Sequence, residues 1–504
     1  MNSQLNEHPV GLKVAKAAVS LICAAVMSAC ANYAGIHSDQ QLATPQAYAS
    51  TQSIPAQSGH WPAAGWADQF GDAQLKALLD EALKGSPTLD QARARVAAAS
   101  AYSETARSNT MPKVGADYSV NRQQYSGTAL IPPPYAGSWQ TENKLGTSAS
   151  YDLDLWGKNR EALKASLSQE QASEAEAEVV KLTLTTSIAR AYNQLARLYD
   201  LRDIEASEVA HRDQIERIAK QRIATGLDTV VELKTAQANV SSSRATVAAL
   251  DGQILTARYR IAALLGAGPD RGLTIARPAM SAGDEVLLPD NLPADLVSRR
   301  PDLVAARWRV DALTHDVKEA KAEFYPDINL SAAIGLDAFG FGRFLTATSR
   351  TGSAGAAIHL PIFDGGALRA QLKGRYADFD YAVATYDQTL ISALSEVATQ
   401  LGEIRSTDAQ LVDAVNASQA AHSADLIALT QYKAGLTNQL TVLNADVNAL
   451  SADQAIVDLK MNRRDQQIAL AAALGGGYTD ASTNTADTAG TSDAVAKPQT
   501  VAAR

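Results

Sequence analysis

Cysteine is nearly absent from this chain of 504 residues: there are two, Cys23 and Cys30, and both lie close to the N-terminus. The rest of the sequence therefore cannot form an internal disulfide, and it offers no cysteine ligands for a metal. Lysine and arginine are scattered, and the net charge is −9, so the sequence lacks the basic patch that binds nucleic acid. We predict no nucleic-acid partner.

Sequence motifs that carry catalysis are also missing. The seven histidines include no HExxH pair or other spacing typical of a metal site, and no glycine-rich phosphate loop occurs. We therefore predict that the chain is not an enzyme, binds no cofactor and has no metal site. Any process that it serves must draw its energy from a partner protein.

Proline and glycine are missing from long stretches of the sequence. Residues 158–225 contain neither, and no proline occurs from 135 to 268 or from 362 to 497. Apolar residues such as Ile188 and Tyr192 recur there at steps of three and four, which is typical of packed helices. A single helix over the first stretch would be about 100 Å long. Because a globular domain of this size cannot contain such a rod, the pattern indicates a coiled coil or a barrel of helices.

The chain contains an internal tandem duplication. Three segments recur in the same order: 86–96 returns as 300–310, 224–233 as 433–442, and 261–266 as 470–475. The repeating unit of about 180 residues is far longer than the repeat of a solenoid. Gly226 and Gly435 occupy equivalent positions after the two long helical stretches. We expect each stretch to end on a glycine cap and to turn back into an antiparallel helix.

Four segments alternate between apolar residues and small or polar ones. They are 114–121, 145–155, 328–336 and 354–362. This period of two is typical of the wall of a membrane β-barrel, and a half-buried hairpin of a soluble protein is the alternative. Four strands cannot close a barrel, and open strand edges are not tolerated in lipid. Since about eight strands are the practical minimum, the chain must share a barrel with copies of itself.

The N-terminal segment resembles a bacterial lipoprotein signal. Two lysines precede an apolar run at 17–27, which is too short to span a bilayer as a mature helix. Small residues then precede Cys30, which such a signal makes the lipidated first residue of the mature chain. Ordinary cleavage, or none, is the alternative. Ala31 at the next position implies sorting to the outer membrane in lipoproteins of this kind.

Most of the chain, about residues 60–475, resembles the outer-membrane factor family, the TolC-like channels, and within it the NodT- or OprM-type efflux lipoproteins. The most specific segments are YDLDLWGKNR at 151–160, RRPDLVAARWRV at 299–310, AKAEFYPDINLSAAIG at 320–335, LPIFDGG at 360–366 and YKAGLTN at 432–438. Each segment alone is a weak signal. Their order, together with the duplication, carries the resemblance.

This resemblance implies an α+β membrane protein with a TolC-like fold. Three chains each give four strands to one twelve-stranded β-barrel, which is continuous with a long periplasmic α-helical barrel. The expected segments are a lipoprotein signal peptide at 1–29, a lipid-anchored tether at 30–60, a first outer-membrane-efflux repeat at 61–270, a second at 285–475, and a disordered tail at 476–504.

The resemblance also implies a function and partners. The chain would be the outer-membrane channel of a tripartite efflux system, most of all of the RND type, in a Gram-negative bacterium. It would be a passive export duct for drugs or other toxic small molecules. Its partners would be two further copies of itself, a periplasmic adaptor (membrane fusion) protein, an inner-membrane transporter and outer-membrane lipid. The alternatives are the duct of a type I protein secretion system and a periplasmic coiled-coil scaffold without a pore, which would contain no strands.

Two acidic residues are candidates for a gate. Glu216 and Asp425 lie ten residues before Gly226 and Gly435, respectively. In TolC-like channels acidic residues near the aperture close the pore and attract cations. Three copies of each carboxylate would form a negative ring, which favours cations. The alternative is two solvated helix residues. By the same resemblance, the turns at the two glycines are the periplasmic tip, where the channel closes and the partner docks.

Overall fold

The computed structural model describes residues 33–50, 52–55, 59–128, 132–282, 288 and 292–480. The expected signal peptide, Cys30 and the end of the expected tail, from 481 onward, lie outside the described residues. The described residues fall into two compact units. The first unit includes segments up to Leu42, Ala97–Ala172 and Arg307–Thr385, and the second includes Ala43–Val96, Ser173–Ala306 and the chain from Tyr386.

Both halves of the chain contain the same series of elements, apart from one additional short helix in the first half. The first half has α1 (Ala73–Gly85), α2 (Pro87–Ser108), β1 (Lys113–Gln124), β2 (Trp139–Asp152), α3 (Lys158–Ala224), α4 (Val230–Leu264) and the short α5 (Pro269–Leu273). The second half has α6 (Leu292–Arg299), α7 (Pro301–Ala322), β3 (Asp327–Phe339), β4 (Arg350–His359), α8 (Ala367–Lys433) and α9 (Gln439–Ala473). Short 3-10 helices lie at Pro45–Ala47, Trp66–Phe70 and Ala347–Ser349.

The long helices confirm the prediction made from the missing prolines. Helices α3 and α8 have 67 residues each, and α4 and α9 have 35 each. The two halves therefore agree in helix length as well as in order. Within the described residues, no helix combines the length and the apolar character needed to cross a membrane.

An aspartate begins each of the two longest helices. Asp154 accepts hydrogen bonds from the backbone N–H groups of Asn159, at 3.2 Å, and Arg160, at 2.9 Å. Asp364 accepts from those of Gly366, at 2.9 Å, and Leu368, at 2.7 Å. These bonds satisfy N–H groups that a helix start leaves without partners. The aspartates of YDLDLWGKNR and LPIFDGG thus have a common structural role.

The four strands form one antiparallel sheet in the order β1-β2-β3-β4. Opposite residues in the sheet share a face, and the register pairs Leu145 with Leu336 and Ile328 with Ile358. The apolar series predicted from the sequence therefore lies on one face. Val114, Ile334 and Ile358 on that face are 70–72% exposed in the single chain. The sheet contradicts the scaffold alternative, which would contain no strands.

The second unit has a hydrophobic core formed by both short and long helices. Its fully buried members include Phe70, Leu75, Leu78, Ile188, Tyr192, Leu195, Ile261 and Ile275. The Tyr192 hydroxyl is satisfied within this core, because it donates to Asp72 Oδ2 at 2.9 Å. Asp72 is also the N-cap of α1, so one carboxylate both begins a helix and fixes a buried ring.

In each repeat, the glycine that follows the second long helix packs against the start of the repeat. Gly266 follows α4 with a φ of 76°, and Gly475 follows α9 with a φ of 88°. A Cβ atom on Gly266 would lie 2.5 Å from Cδ of Pro87, and one on Gly475 would overlap the carbonyl oxygen of Arg299. Both positions therefore require glycine for space as well as for conformation. The described chain continues to Asp480, whose N–H donates to the Ser298 carbonyl at 3.1 Å.

Candidate functional site

The two turns between the long helices have the same backbone geometry. Gly226 and Gly435 adopt left-handed φ values of 78° and 77°. The residue after each glycine donates its N–H to the carbonyl five positions earlier, that of Arg222 or Gln431, at 2.9 Å in both turns. This bond satisfies a carbonyl that the helix end would leave free. The chain then enters α4 or α9, so each half has a hairpin of two long helices.

Three residues connect the two hairpins, and we call Arg222, Asp228 and Tyr432 the turn clasp. Arg222 donates two hydrogen bonds to Asp228, at 2.8 Å from Nε and 3.0 Å from Nη2. Its Nη1 donates to the Tyr432 carbonyl at 2.7 Å, and the guanidinium carbon lies 4.5 Å from the centre of the Tyr432 ring. The Tyr432 hydroxyl donates to Asp228 Oδ2. The clasp therefore joins α3 and the first turn to the end of α8.

The residues of the turn clasp shift one another's pKa values in directions that strengthen the hydrogen bonds between them. The Arg222 guanidinium, followed by the Tyr432 hydroxyl, holds the pKa of Asp228 below its ordinary value. Burial and the Asp228 carboxylate raise the pKa of the Tyr432 phenol, so this group keeps its proton and remains a donor. Hydrogen bonds of this charge-assisted, bidentate kind are stronger than neutral ones. A second link between the hairpins runs from Gln439 Nε2 to the Glu232 carbonyl at 3.1 Å.

Glu216 and Asp425, the predicted aperture residues, have different environments within one chain. Glu216 forms an ion pair with Lys220 at 2.6 Å and accepts a hydrogen bond from Gln237 at 3.4 Å. Lys220 is the main reason that the pKa of Glu216 lies below its ordinary value. Asp425 instead faces His211, with Oδ2 lying 3.4 Å from Nε2. Each carboxylate therefore has a side-chain partner within the chain.

Asp425 belongs to a partly buried group that we call the acid–histidine cluster: Glu208, His211, Arg212, Asp425 and Asp446. Asp446 Oδ1 lies 3.5 Å from His211 Nε2. Asp446 Oδ2 accepts a hydrogen bond from Arg212 Nε at 3.2 Å and lies 3.1 Å from Arg212 Nη2. Arg212 also forms an ion pair with Glu208, one helical turn earlier. Burial, followed by the nearby Asp446, raises the pKa of Glu208 to about 8. The Asp425 carboxylate raises the pKa of His211.

The sequence patterns used above did not identify the turn clasp or the rest of the cluster. The missed signal is a difference between the repeats. Arg222 and Asp228 flank the first glycine, whereas the equivalent positions beside Gly435 hold Gln431 and Thr437. Charged residues that occur in only one repeat cannot form the same contact in both hairpins. They indicate a contact between the unlike hairpins.

Comparisons with known proteins agree with this architecture. The outer membrane efflux protein family matches residues 78–267 and 292–476. A multidrug resistance outer membrane protein, MdtP of Shigella flexneri, is 32% identical over 471 residues, which are 90% of this chain and 94% of MdtP. The fusaric acid resistance protein FusA of Burkholderia cepacia is 38% identical over 317 residues, 62% of this chain and 59% of FusA.

A solved structure has the same fold. The outer membrane protein VceC from Vibrio cholerae superposes with a TM-score of 0.78 at 35% identity, over 83% of this chain and all of the VceC chain. The fold, the duplicated hairpins and the match over both repeats lead to one conclusion. The chain belongs to the outer membrane efflux protein family and has the TolC-like fold.

Proposed function

We propose that the chain is the outer-membrane duct of a tripartite efflux system, most of all one of the RND type. The observation that carries this proposal is the combination, in one chain, of an unclosed four-stranded sheet and two hairpins of very long helices. A passive duct also agrees with a sequence that carries no motif for nucleotide hydrolysis.

Closure of the barrel requires other copies of the chain. Strands β1 and β4 are the edges of the sheet, and each leaves one row of backbone groups unpaired in the single chain. Three copies would join these edges into a twelve-stranded barrel. The apolar face with Val114, Ile334 and Ile358 would then meet lipid. Lipidation of Cys30 would add an anchor in the same membrane.

The two turns offer a surface for a periplasmic adaptor. Apolar side chains around them are mostly exposed: Leu227, Val230, Val231, Leu436 and Leu440 are 61–78% exposed. Exposed apolar side chains grouped in this way mark sites of protein association. We propose that the adaptor docks there and that an inner-membrane transporter supplies the energy.

The proposed cargo is small and toxic. MdtP and FusA are named for resistance to multiple drugs and to fusaric acid, and these are properties of those proteins. For this chain, deletion in its own host should increase sensitivity to a panel of drugs, solvents, metals and organic acids. If the deletion changes no sensitivity and instead abolishes export of a protein, the type I secretion alternative is correct.

Purified protein should form trimers that resist dissociation by detergent below boiling, and these should give single-channel currents in a planar bilayer. Backbone pairing across six strand edges is the physical reason for this resistance, because separation would expose unpaired groups to lipid. Crosslinking measures the number of chains, and the bilayer measures conductance. Monomers without current would contradict the proposed duct.

Glu216 and Asp425 remain our candidates for the negative charge of the aperture. Lys220 partly neutralises Glu216, so Lys220→Met should raise the preference for cations over anions, whereas Glu216→Gln with Asp425→Asn should lower it. Reversal potentials in a salt gradient measure both effects. Lys181→Met, which frees Glu178 from a similar ion pair elsewhere on α3, is the matched control. An equal selectivity in all variants would show that these residues do not line the aperture.

A further inference from the structure

Three helices bring an imidazole and two carboxylates together inside the helical unit. His211 lies on α3, Asp425 on α8 and Asp446 on α9. His211 Nε2 is 3.4 Å from Asp425 Oδ2 and 3.5 Å from Asp446 Oδ1, and one ligand atom of each residue lies within 4.8 Å of the others. The Asp446 side chain is 3% exposed and that of Asp425 is 13% exposed.

Two atoms of this group are buried and have no hydrogen-bond partner: His211 Nε2 and Asp425 Oδ1. Glu208 Oε1, by contrast, forms an ion pair with Arg212 Nε. Buried polar atoms normally have partners, because leaving them without one costs free energy. The group therefore has the character of a site that receives a ligand.

The separations fit a metal better than they fit a hydrogen-bonded network. Nitrogen–oxygen distances of 3.4 and 3.5 Å exceed the usual range for hydrogen bonds. They are close to the edge of a tetrahedron around zinc, which is about 3.3 Å when the metal–ligand bonds are about 2.0 Å. We propose that His211, Asp425 and Asp446 bind Zn²⁺ or another divalent cation that prefers mixed nitrogen and oxygen ligands.

Neighbouring residues orient these ligands. Arg212 holds Asp446 Oδ2 and also donates to Ser243 Oγ at 3.0 Å, which leaves Asp446 Oδ1 facing His211. Such second contacts fix the direction of metal ligands in proteins. Glu208 precedes His211 by three positions, the Glu-x-x-His spacing that metal sites in helix bundles use.

A divalent cation would match the charges of Asp425 and Asp446 and would take the place of the proton on His211 Nε2. The first repeat supplies a comparison, because its equivalent positions hold Glu216 and Gln237. There one carboxylate accepts a hydrogen bond from an amide. The second repeat has a carboxylate in place of that amide, so two acids, rather than an acid and an amide, face His211.

This inference revises the prediction that the chain has no metal site. The three ligands come from three helices and lie more than 20 residues apart in the sequence, so no short motif announces them. The site does not depend on the proposed role in efflux. Because a bound metal would neutralise Asp425, the test of ion selectivity described above is made on metal-free protein. A metal there would join the hairpin of the first repeat to that of the second, about 20 Å from the end of α3 at 1.5 Å per residue.

The test uses the full chain in detergent, without a histidine tag and after treatment with a chelator. Zn²⁺ is titrated in competition with a chromophoric chelator, and Co²⁺ serves as a spectroscopic probe. We expect one tightly bound ion per chain, a tetrahedral Co²⁺ spectrum, and a melting temperature that rises by several degrees with Zn²⁺, since binding only to the folded state stabilises it. His211→Gln and Asp425→Asn should each weaken binding by about 100-fold or more, because loss of a residue that only orients a ligand already costs about 10- to 100-fold.

Two controls separate this site from surface binding and from misfolding. His422 lies on α8 outside the proposed site, and its Nε2 lies 2.9 Å from Asp453 Oδ2. His422→Gln removes this ion pair and should leave zinc binding unchanged. Circular dichroism and melting of the metal-free variants report whether they fold. Absence of stoichiometric binding to folded wild type would overturn the proposal. Equal affinity in wild type and both ligand variants would overturn it as well and would indicate adventitious ions only.

Discussion

Asp228→Ala is expected to raise the conductance of the channel several-fold, because Asp228 accepts three of the hydrogen bonds in the turn clasp. Two bonds from Arg222 and one from Tyr432 are lost together. Each hydrogen bond to a charged group contributes about 1.5–3 kcal/mol. A tenfold shift between two states requires about 1.4 kcal/mol. Arg222 keeps its bond to the Tyr432 carbonyl, but the loss of the other three bonds is large enough to move a closed duct toward an open one. Planar-bilayer recording measures the conductance.

Matched variants test whether the clasp acts as a specific link. Tyr432→Phe keeps the buried ring and removes one bond, so its conductance should lie between that of wild type and that of Asp228→Ala. Asp213→Ala removes an ion pair with Arg244 that stays within the first hairpin, and it should leave the conductance unchanged. If Asp213→Ala and Asp228→Ala behave alike, the clasp does not control opening.

The clasp also has an expected pH dependence. The pKa of Asp228 is lowered in the folded chain, chiefly by Arg222. The stabilisation that ionised Asp228 gives to the folded chain is complete above the ordinary aspartate pKa of about 3.9. It is lost only as the pH falls through the lower pKa that Asp228 has in the folded chain. If the clasp governs the conductance, the conductance should therefore stay constant from neutral pH down to about pH 4. In stronger acid, the conductance of wild type should change as Asp228 takes up a proton, and Asp228→Ala should lack this change.

Gly475→Ala is expected to give the largest loss of stability. Its φ of 88° is strained for any residue with a side chain, and the added Cβ would overlap the Arg299 carbonyl oxygen. Together these effects should cost about 3 kcal/mol or more, with a fall of several degrees in melting temperature. Gly266→Ala, at the equivalent position of the first repeat, should destabilise in the same way, because its Cβ would lie 2.5 Å from Pro87 Cδ.

Gly402→Ala is the control for these substitutions. Gly402 lies inside α8, and no atom lies within 4 Å of the position that its Cβ would take. Alanine is favoured over glycine in a helix by about 0.5–1 kcal/mol, so this variant should be slightly more stable. Thermal melting of the three variants gives the comparison. Equal stability of Gly475→Ala and Gly402→Ala would show that the close approach at Gly475 does not exist in solution.

The helices and strands were predictable because their signals are local. The missing prolines and glycines anticipated α3 to within a residue or two, the missing prolines and Gly435 anticipated a long helix in the second half, and the period of two anticipated the apolar face of the sheet. The duplication anticipated equal helix lengths in the two halves. These properties depend on residues that are near neighbours in the sequence, where backbone preference and side-chain periodicity act directly.

The contacts between the hairpins were not predictable in this way. Arg222 and Tyr432 are separated by 210 residues, and His211 and Asp425 by more than 200. Glu216 and Asp425 matched in sequence, yet one pairs with a lysine of its own helix and the other faces a histidine of a different helix. Side-chain partners of this kind depend on how helices pack, which periodicity does not specify.

By itself, the sequence determined the duplicated plan of helices and strands, the apolar face of the sheet and the two glycine turns, because each follows from local backbone and burial preferences. Only the tertiary structure decided which charges meet. It formed the turn clasp from residues that break the repeat, and it placed His211 between two aspartates of the other half. The physical reason is that the free energy of a buried charge depends on its neighbours in space, and packing of distant helices supplies those neighbours.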